Sequence, residues 1–126
     1  MKRIYILCPV TIADESDRMN IEIYVDNLES EGHVVHYPAR DTDQDGHPFD
    51  ICLENGAAIQ EADEIHIFYN SKSKGSHFDL GMLFALIMLK GEKKKVKVKD
   101  VNISDPQSGY GTGWVDLMAK IEKLTT

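Results

Sequence analysis

Short apolar runs alternate with longer amphipathic segments along the whole chain, and this alternation restricts the fold more than any other feature. Ile4 to Val10 is a nearly unbroken apolar run, as expected for a strand buried on both faces of a parallel sheet. His33 to Tyr37 and Ile65 to Tyr69 are two further runs of this kind, whereas Lys95 to Lys99 alternates lysine with valine. The pattern predicts parallel strands, the last of them at an edge with one solvated face.

Between these strands, apolar residues recur at helical spacing. Helices are predicted after a cap at Ser16 or Asp17, and over Phe49 to Ala62, Phe78 to Leu89 and Trp114 to Leu124. The segment from Phe78 is apolar around its circumference, so we expect it to be buried on the sheet, with a partner subunit as a second surface to cover. Ala39 to Pro48 and Asn70 to Ser76 are predicted to be polar loops.

Strand and helix in alternation predict an α/β fold with a three-layer, Rossmann- or flavodoxin-like parallel sheet. The strand order is expected to be 2-1-3-4, with a fifth strand left open, and 126 residues favour one domain over residues 1–126. Such sheets bind ligands outside the carboxyl ends of their strands, at the point where the order reverses. We therefore expect Cys8 to Thr11 to face Asn70 to Asp79.

Composition narrows the classes of function and location. A net charge of −7 argues against a nucleic-acid duplex as partner, although the lysines between Lys90 and Lys99 form a local basic segment, either solvated or in contact with an anion or protein. Cys8 and Cys52 lie in apolar runs, which favours reduced thiols over a disulfide framework. The longest apolar stretch is far below the ~20 residues that cross a bilayer. We expect a soluble, cytoplasmic protein with no membrane partner.

The segment Gly75 to Gly81 is the strongest candidate for chemistry. It joins a strand end to an apolar helix, so free backbone N–H groups and the positive end of the helix dipole are presented to an anion or an oxygen-rich sugar. Asp79 is the single carboxylate in this segment. The alternative interpretation is that Asp79 only complements the helix N-terminus.

Three segments together resemble the nucleoside 2-deoxyribosyltransferase-like family, which includes nucleoside 5'-monophosphate N-glycosidases. The resemblance covers about the first hundred residues and is carried by Ile4 to Val10, Ile59 to Ile65 and Gly75 to Ala85. Where family members have Gly-Pro, Ala-Asp and Glu-Leu-Gly, this chain has Cys8-Pro9, Ala62-Asp63 and Asp79-Leu80-Gly81.

The resemblance implies roles for individual residues. The family's glutamate attacks the anomeric carbon or stabilises the oxocarbenium ion, and Asp79 matches it with a side chain one methylene shorter. The family places an aspartate eight residues before the strand-entry aspartate, here Asp63, and that position is Asn55. The change removes a potential general acid or base. Six residues before the carboxylate, Ser73 matches the monophosphate hydrolases rather than the transferases.

A substrate site follows from the same resemblance. The ligand implied is a small nucleoside or nucleoside 5'-monophosphate, with no metal or organic cofactor, in a homodimer or higher oligomer. A neighbouring subunit's C-terminal half, here Tyr110 or Trp114, is implied to reach the site. The substrate-binding residues expected, with His77 also a candidate acid or base, are Cys8, Pro9, Val10, Arg40, Ser73, Gly75, Ser76 and His77.

The leading functional prediction is an N-glycosidase or deoxyribosyltransferase-like enzyme that cleaves the N-glycosidic bond. The changes at Asp79 and Asn55 support a second hypothesis, a non-catalytic nucleotide-binding or sensing domain of the same fold. A third is a flavodoxin-like regulatory domain that works by partner contact through the lysine-rich edge. The sequence leaves open the base, the choice between ribose and deoxyribose, and the choice between hydrolysis and transfer.

Other motifs favour no separate function. Asp41 to Gly46 matches the first half of a calcium-binding EF-hand loop, but Cys52 stands where a bidentate glutamate is required. Gly109 to Gly113 lacks the lysine of a phosphate-binding loop and is predicted to be a flexible lead into the last helix. The remaining histidines show no metal-ligand spacing and are assigned no function: His33, His36, His47 and His66.

Overall fold

The computed structural model of the chain describes residues 1–103 and 109–126, and the side chains of all of these except 109–112. The strands are β1 (Arg3–Leu7), β2 (Val34–His36), β3 (Glu64–Asn70) and β4 (Lys95–Asn102). The helices are α1 (Glu15–Ser30), α2 (Pro38–Asp41), α3 (Pro48–Glu61), α4 (Lys74–Phe84) and α5 (Gly109–Leu124), and a π-helical turn (Ala85–Leu89) continues α4.

The sheet is wholly parallel and has the predicted order β2-β1-β3-β4. Because side chains alternate along a strand, β1 sends Ile4 and Ile6 to one face, and Tyr5 and Leu7 to the other. The first pair packs with Val25 of α1, and the second belongs to a separate core with residues of α3, α4 and α5. The predicted three-layer α/β fold is confirmed. The described residues contain no fifth strand.

Several predicted boundaries were wrong because local capping was overlooked. The first helix is capped by Asp14, whose carboxylate accepts from the backbone N–H of Asp17 in a capping box, and not by Ser16 or Asp17. The polar loop from Ala39 begins instead with α2, because Pro38 suits a first helical position. The last helix begins at Gly109 and not at Trp114, since glycine costs a helix only about 1 kcal/mol per residue.

The helix that carries Asp79 also differs from its prediction. It begins at Lys74, four residues earlier than expected, because the side chain of Ser73 caps it. Leu80 and Leu83 are buried, but Phe78 is 54% and Leu89 78% exposed. The predicted burial around the whole circumference is therefore wrong within this protomer, and the partner subunit stays a prediction.

Charged side chains on the α1 side of the sheet form a buried network around Glu64, which is 3% exposed. The Glu64 carboxylate contacts the ammonium of Lys2, His66 Nε2 at 2.9 Å and Lys97 Nζ at 3.3 Å. His66 Nδ1 lies 2.6 Å from the hydroxyl of Tyr24, which ties α1 to β3. His66 is thus packed and hydrogen-bonded within the sheet. Burial opposes ionisation of Glu64, but the hydrogen bonds and cations prevail and lower its pKa to about 2.

Glu64→Gln is expected to lower the free energy of unfolding by about 1–3 kcal/mol at pH 7, because the cations lose their buried carboxylate. The folded pKa lies below the ordinary value of 4.5, so this contribution is present above pH 4.5 and is lost as pH falls towards 2. Urea unfolding at several pH values measures it. The control is Glu61→Gln, which removes an exposed pair with Arg3 at 4.0 Å and should change stability by under ~0.5 kcal/mol. A pH-independent difference between wild type and Glu64→Gln would contradict the prediction.

Candidate active site

The carboxylate of Asp79 lies inside the protein, on the face of the sheet that α4 covers. Asp79 is 6% exposed, and its Oδ2 accepts a hydrogen bond of 2.7 Å from the hydroxyl of Tyr5 on β1. Its Oδ1 accepts no hydrogen bond from any of the described residues. Burial raises the pKa of Asp79 to about 6, although the Tyr5 hydrogen bond lowers it. Near neutral pH the side chain is therefore an ionised carboxylate with a poorly solvated charge.

A second set of polar groups lies against the same tyrosine. The ring of His36, at the end of β2, stacks on the Tyr5 ring with centroids 5.5 Å apart and an interplanar angle of 14°. His36 Nε2 is 2.8 Å from the hydroxyl of Thr42, which donates to Asn55 Oδ1 at 2.6 Å. Through this chain the structure brings Asn55 into one network with the residues around Asp79.

Helices α3 and α4 approach each other closely beside this network. A Cβ atom at Gly56 of α3 would lie 2.9 Å from the sulfur of Met82 of α4, so the missing side chain makes room for the methionine. Gly56 follows Asn55 directly, and Met82 lies one turn after Asp79 on α4. The glycine that weakens the helix thus permits the packing that places the two polar residues.

The turn that begins α4 is held by its serines. Ser73 Oγ accepts the backbone N–H of Ser76 at 3.2 Å and donates to Ser76 Oγ at 2.8 Å. Both serines are buried, so their hydroxyls serve the helix cap first. Gly75 is exposed in this turn with open space where a Cβ would stand. A ligand can therefore approach the backbone of the first turn at Gly75.

His77 is bonded within the protein through both ring nitrogens. Its Nδ1 lies 2.7 Å from the carbonyl oxygen of Ser73, and its Nε2 lies 2.8 Å from the hydroxyl of Tyr69. The predicted contact with substrate would require one of these bonds to break.

Arg40, the predicted anion ligand, is also engaged. Its guanidinium donates to the carboxylates of Glu29 and Asp41 and to the carbonyl of Val35. These carboxylates already neutralise the guanidinium, and their hydrogen bonds raise its pKa. Arg40 therefore ties α1 to α2, and Asp41, the first residue of the EF-hand-like segment, faces Arg40.

No group of three or more metal-ligating His, Cys, Asp or Glu side chains occurs in residues 1–103 and 109–126.

The loop after β1 borders an open cleft at the carboxyl ends of the strands. The cleft has a volume of about 50 Å³ and is lined by residues of this loop, α1, β3 and β4, among them Pro9, Phe68, Asn70 and Asp100. Pro9 and Asn70 thus share a cleft at the predicted point between β1 and β3. Cys8 is buried, and burial raises the pKa of its thiol to about 12, with the charge of Asp79 adding to the effect. Cys8 is accordingly a buried, protonated thiol.

Tyr5 and His36 are the functional candidates that the sequence analysis missed. Tyr5 could have been suspected, because a tyrosine inside a fully buried strand must find a partner for its hydroxyl. His36 carried no such signal, since its stacking partner and Thr42 are known only from the tertiary structure. Tyr110, implied to reach a neighbouring subunit's site, lies outside the described side chains, and Trp114 packs against His77 of its own chain with ring centroids 5.3 Å apart.

Comparison with known proteins identifies a relative in fold. No family model matches the chain, and no curated protein matches it. Among solved structures it is similar to that of the Clostridium botulinum CMP N-glycosidase BcmB, with a TM-score of 0.62 and 19% identity. The match covers 95% of this chain and 82% of BcmB. At this identity the likeness establishes the fold alone.

No helix among the described residues is long and apolar enough to cross a membrane.

Asp79→Asn is expected to stabilise the protein at pH 7.5 by up to about 3 kcal/mol, because the charge buried in the folded state is removed while an acceptor for Tyr5 is kept. The folded pKa of about 6 lies above the ordinary 3.8, so the stability of the wild type is full below pH 3.8 and falls as pH rises through 6. The two proteins should therefore unfold alike below pH 3.8. Urea titrations across this range measure the effect, and equal stabilities at pH 7.5 would show that the carboxylate is solvated.

Tyr5→Phe is expected to raise the pKa of Asp79 above its value of about 6, since the hydrogen bond that favours the ionised form is lost. Carboxyl ¹³C chemical shifts followed against pH measure this directly. Tyr24→Phe is the matched control, because its hydroxyl bonds His66 in the other network and should leave Asp79 unchanged. An unshifted titration in Tyr5→Phe would mean that the phenol does not reach the carboxylate in solution.

Proposed function

We propose that this protein cleaves the N-glycosidic bond of a nucleoside 5'-monophosphate, with Asp79 as the group that meets the anomeric carbon. The observation that carries the proposal is the buried carboxylate with one oxygen held by Tyr5 and the other accepting no hydrogen bond from the described residues. A desolvated carboxylate with a pKa near 6 is ionised at neutral pH and attracts the positive charge that develops when a base departs. The similarity in fold to a CMP N-glycosidase supports this reaction class.

The reaction divides into two steps in which atoms and charges balance. Asp79 Oδ1 stabilises the oxocarbenium-like centre and bonds to the anomeric carbon, while the C–N bond breaks and its electron pair leaves with the base. The base takes a proton from solvent. Water then attacks the same carbon and releases one proton to solvent, the sugar–carboxylate bond breaks, and Asp79 returns as a carboxylate with free sugar phosphate released. Tyr5 keeps the carboxylate oriented throughout.

Asn55 orients the sugar in this scheme. Its carbonyl accepts from Thr42, and no described residue accepts from its amide N–H groups, which are available to a sugar oxygen. An amide N–H can donate a hydrogen bond but is too weak an acid to transfer its proton, so Asn55 cannot act as the general acid for the base. Water fills that role, which makes the proposed reaction slower than one with a carboxylic acid at this position.

The phosphate is assigned to the start of α4. Backbone N–H groups at the exposed Gly75 and the positive end of the helix dipole suit an anion, and Lys72 and Lys74 are exposed on either side of Ser73. The Cys8–Val10 loop is assigned to the base. These assignments favour a monophosphate over a neutral nucleoside, despite the overall charge of −7.

A second candidate function is nucleotide binding without turnover. It is favoured by the shorter side chain at Asp79, which lies about one carbon–carbon bond further from a sugar than a glutamate carboxylate would, and by the amide at Asn55. Displacements of this size cost large factors in rate but little in binding.

Incubation with a panel of ribo- and deoxyribonucleoside 5'-monophosphates should release free base, measured by chromatography, beside a calorimetric binding titration. Asp79→Ala should lower the rate at least ~100-fold with nucleotide binding kept. Asp50→Asn, which removes an exposed carboxylate on α3, is the control and should retain wild-type rate. Binding without base release in wild type would support the sensing function, and no binding of any nucleotide would favour a domain that acts by partner contact.

Asn55→Asp is expected to raise kcat by roughly tenfold or more. A carboxyl group at this position, next to the Thr42 hydroxyl, can donate a proton to the departing base. The plot of kcat against pH should gain a fall at high pH, because the new carboxylic acid ionises. Steady-state kinetics from pH 5 to pH 9 measure both. An unchanged kcat with an unchanged profile would show that base protonation does not limit the reaction.

A further inference from the structure

His77 has a bonding pattern that fixes which of its nitrogens carries the proton. The carbonyl oxygen of Ser73, 2.7 Å from Nδ1, can only accept, so Nδ1 is the protonated nitrogen of the neutral ring. Nε2 is then an acceptor, and the hydroxyl of Tyr69 at 2.8 Å supplies the donor. Both partners lie on the chain immediately before the helix: Tyr69 in β3 and Ser73 at the cap.

The same ring reaches a third element. It packs edge-on against Tyr69, with centroids 5.3 Å apart at 86°, and against the indole of Trp114 in α5, also at 5.3 Å. One half-buried side chain therefore joins the end of β3, the cap of α4 and the C-terminal helix. Ser73 N–H donates to the carbonyl of Asn70, so the connecting turn is fixed at its other end as well.

We propose that His77 is a positioning residue that locks the start of α4 against β3 and α5 from its Nδ1-protonated tautomer. The inference rests on the proposed function for its kinetic consequence: the locked turn carries Gly75 and Ser76 and lies one helical turn or less from Asp79. Loss of the lock lets the phosphate-binding turn and the carboxylate shift together. A shift of about 1 Å is enough to lower a catalytic rate substantially.

Two measurements test the lock without any activity. Imidazole ¹⁵N chemical shifts of the wild-type protein should show that Nδ1 carries the proton of the neutral His77 ring. Trp114 is the single tryptophan, so its fluorescence reports on the packing against His77, and should change when the ring is removed in His77→Ala. A ring protonated on Nε2, or fluorescence that is unaffected by His77→Ala, would overturn the proposal.

Kinetics with three variants separate positioning from mere packing. His77→Phe keeps a ring against Trp114 but removes both hydrogen bonds, and should lower kcat by about tenfold or more. His77→Asn can still donate to the Ser73 carbonyl and should recover part of that loss. His47→Asn, which keeps an exposed helix cap elsewhere, should match wild type. Unchanged kcat/KM in His77→Phe would overturn the positioning role, whereas an inactive wild type would count against the proposed function and leave the tautomer and fluorescence to decide the lock.

Discussion

The hydrogen bond from the Tyr5 hydroxyl to Asp79 is the interaction on which the candidate site depends. It joins the central strand β1 to α4 through two groups that are each costly to bury alone: a phenol without an acceptor and a carboxylate without a donor. The bond uses Oδ2 and offsets part of the cost of burial, while Oδ1 accepts no hydrogen bond from the part of the chain that the structure describes. The stacking of His36 on Tyr5 extends the same fixed geometry to Thr42 and Asn55.

Two buried carboxylates in this small sheet show how partners decide reactivity. Glu64 is surrounded by Lys2, Lys97 and His66, and the pKa falls to about 2, which makes it a permanent anion that holds β3, β4 and the N-terminal segment together. Among the described residues Asp79 has a neutral phenol and no cation in hydrogen-bond contact, and burial raises its pKa to about 6. The first arrangement stabilises the fold. The second leaves a charge that a cationic transition state can satisfy, at some cost in stability.

The parallel sheet and its order were predictable, because the apolar runs and the right-handed crossover rule leave few alternatives. Asp79 could be chosen as a candidate from its position at the start of a helix after a strand. The sequence could not reveal Tyr5 and His36 as neighbours of Asp79, since their contacts join segments more than thirty residues apart in the chain. Nor could it show that Arg40 and His77, both expected to bind substrate, are held by protein groups, because a charged or aromatic side chain carries the same local signal in either role.

The most direct measurement is a crystal structure with a non-hydrolysable nucleoside 5'-monophosphate analogue bound. The anomeric carbon should lie within about 3.5 Å of Asp79 Oδ1, on the face opposite the base, with Tyr5 still bonded to Oδ2 and the phosphate at the first turn of α4. A nucleotide bound with its sugar remote from Asp79, or a carboxylate turned away from the ligand, would contradict it.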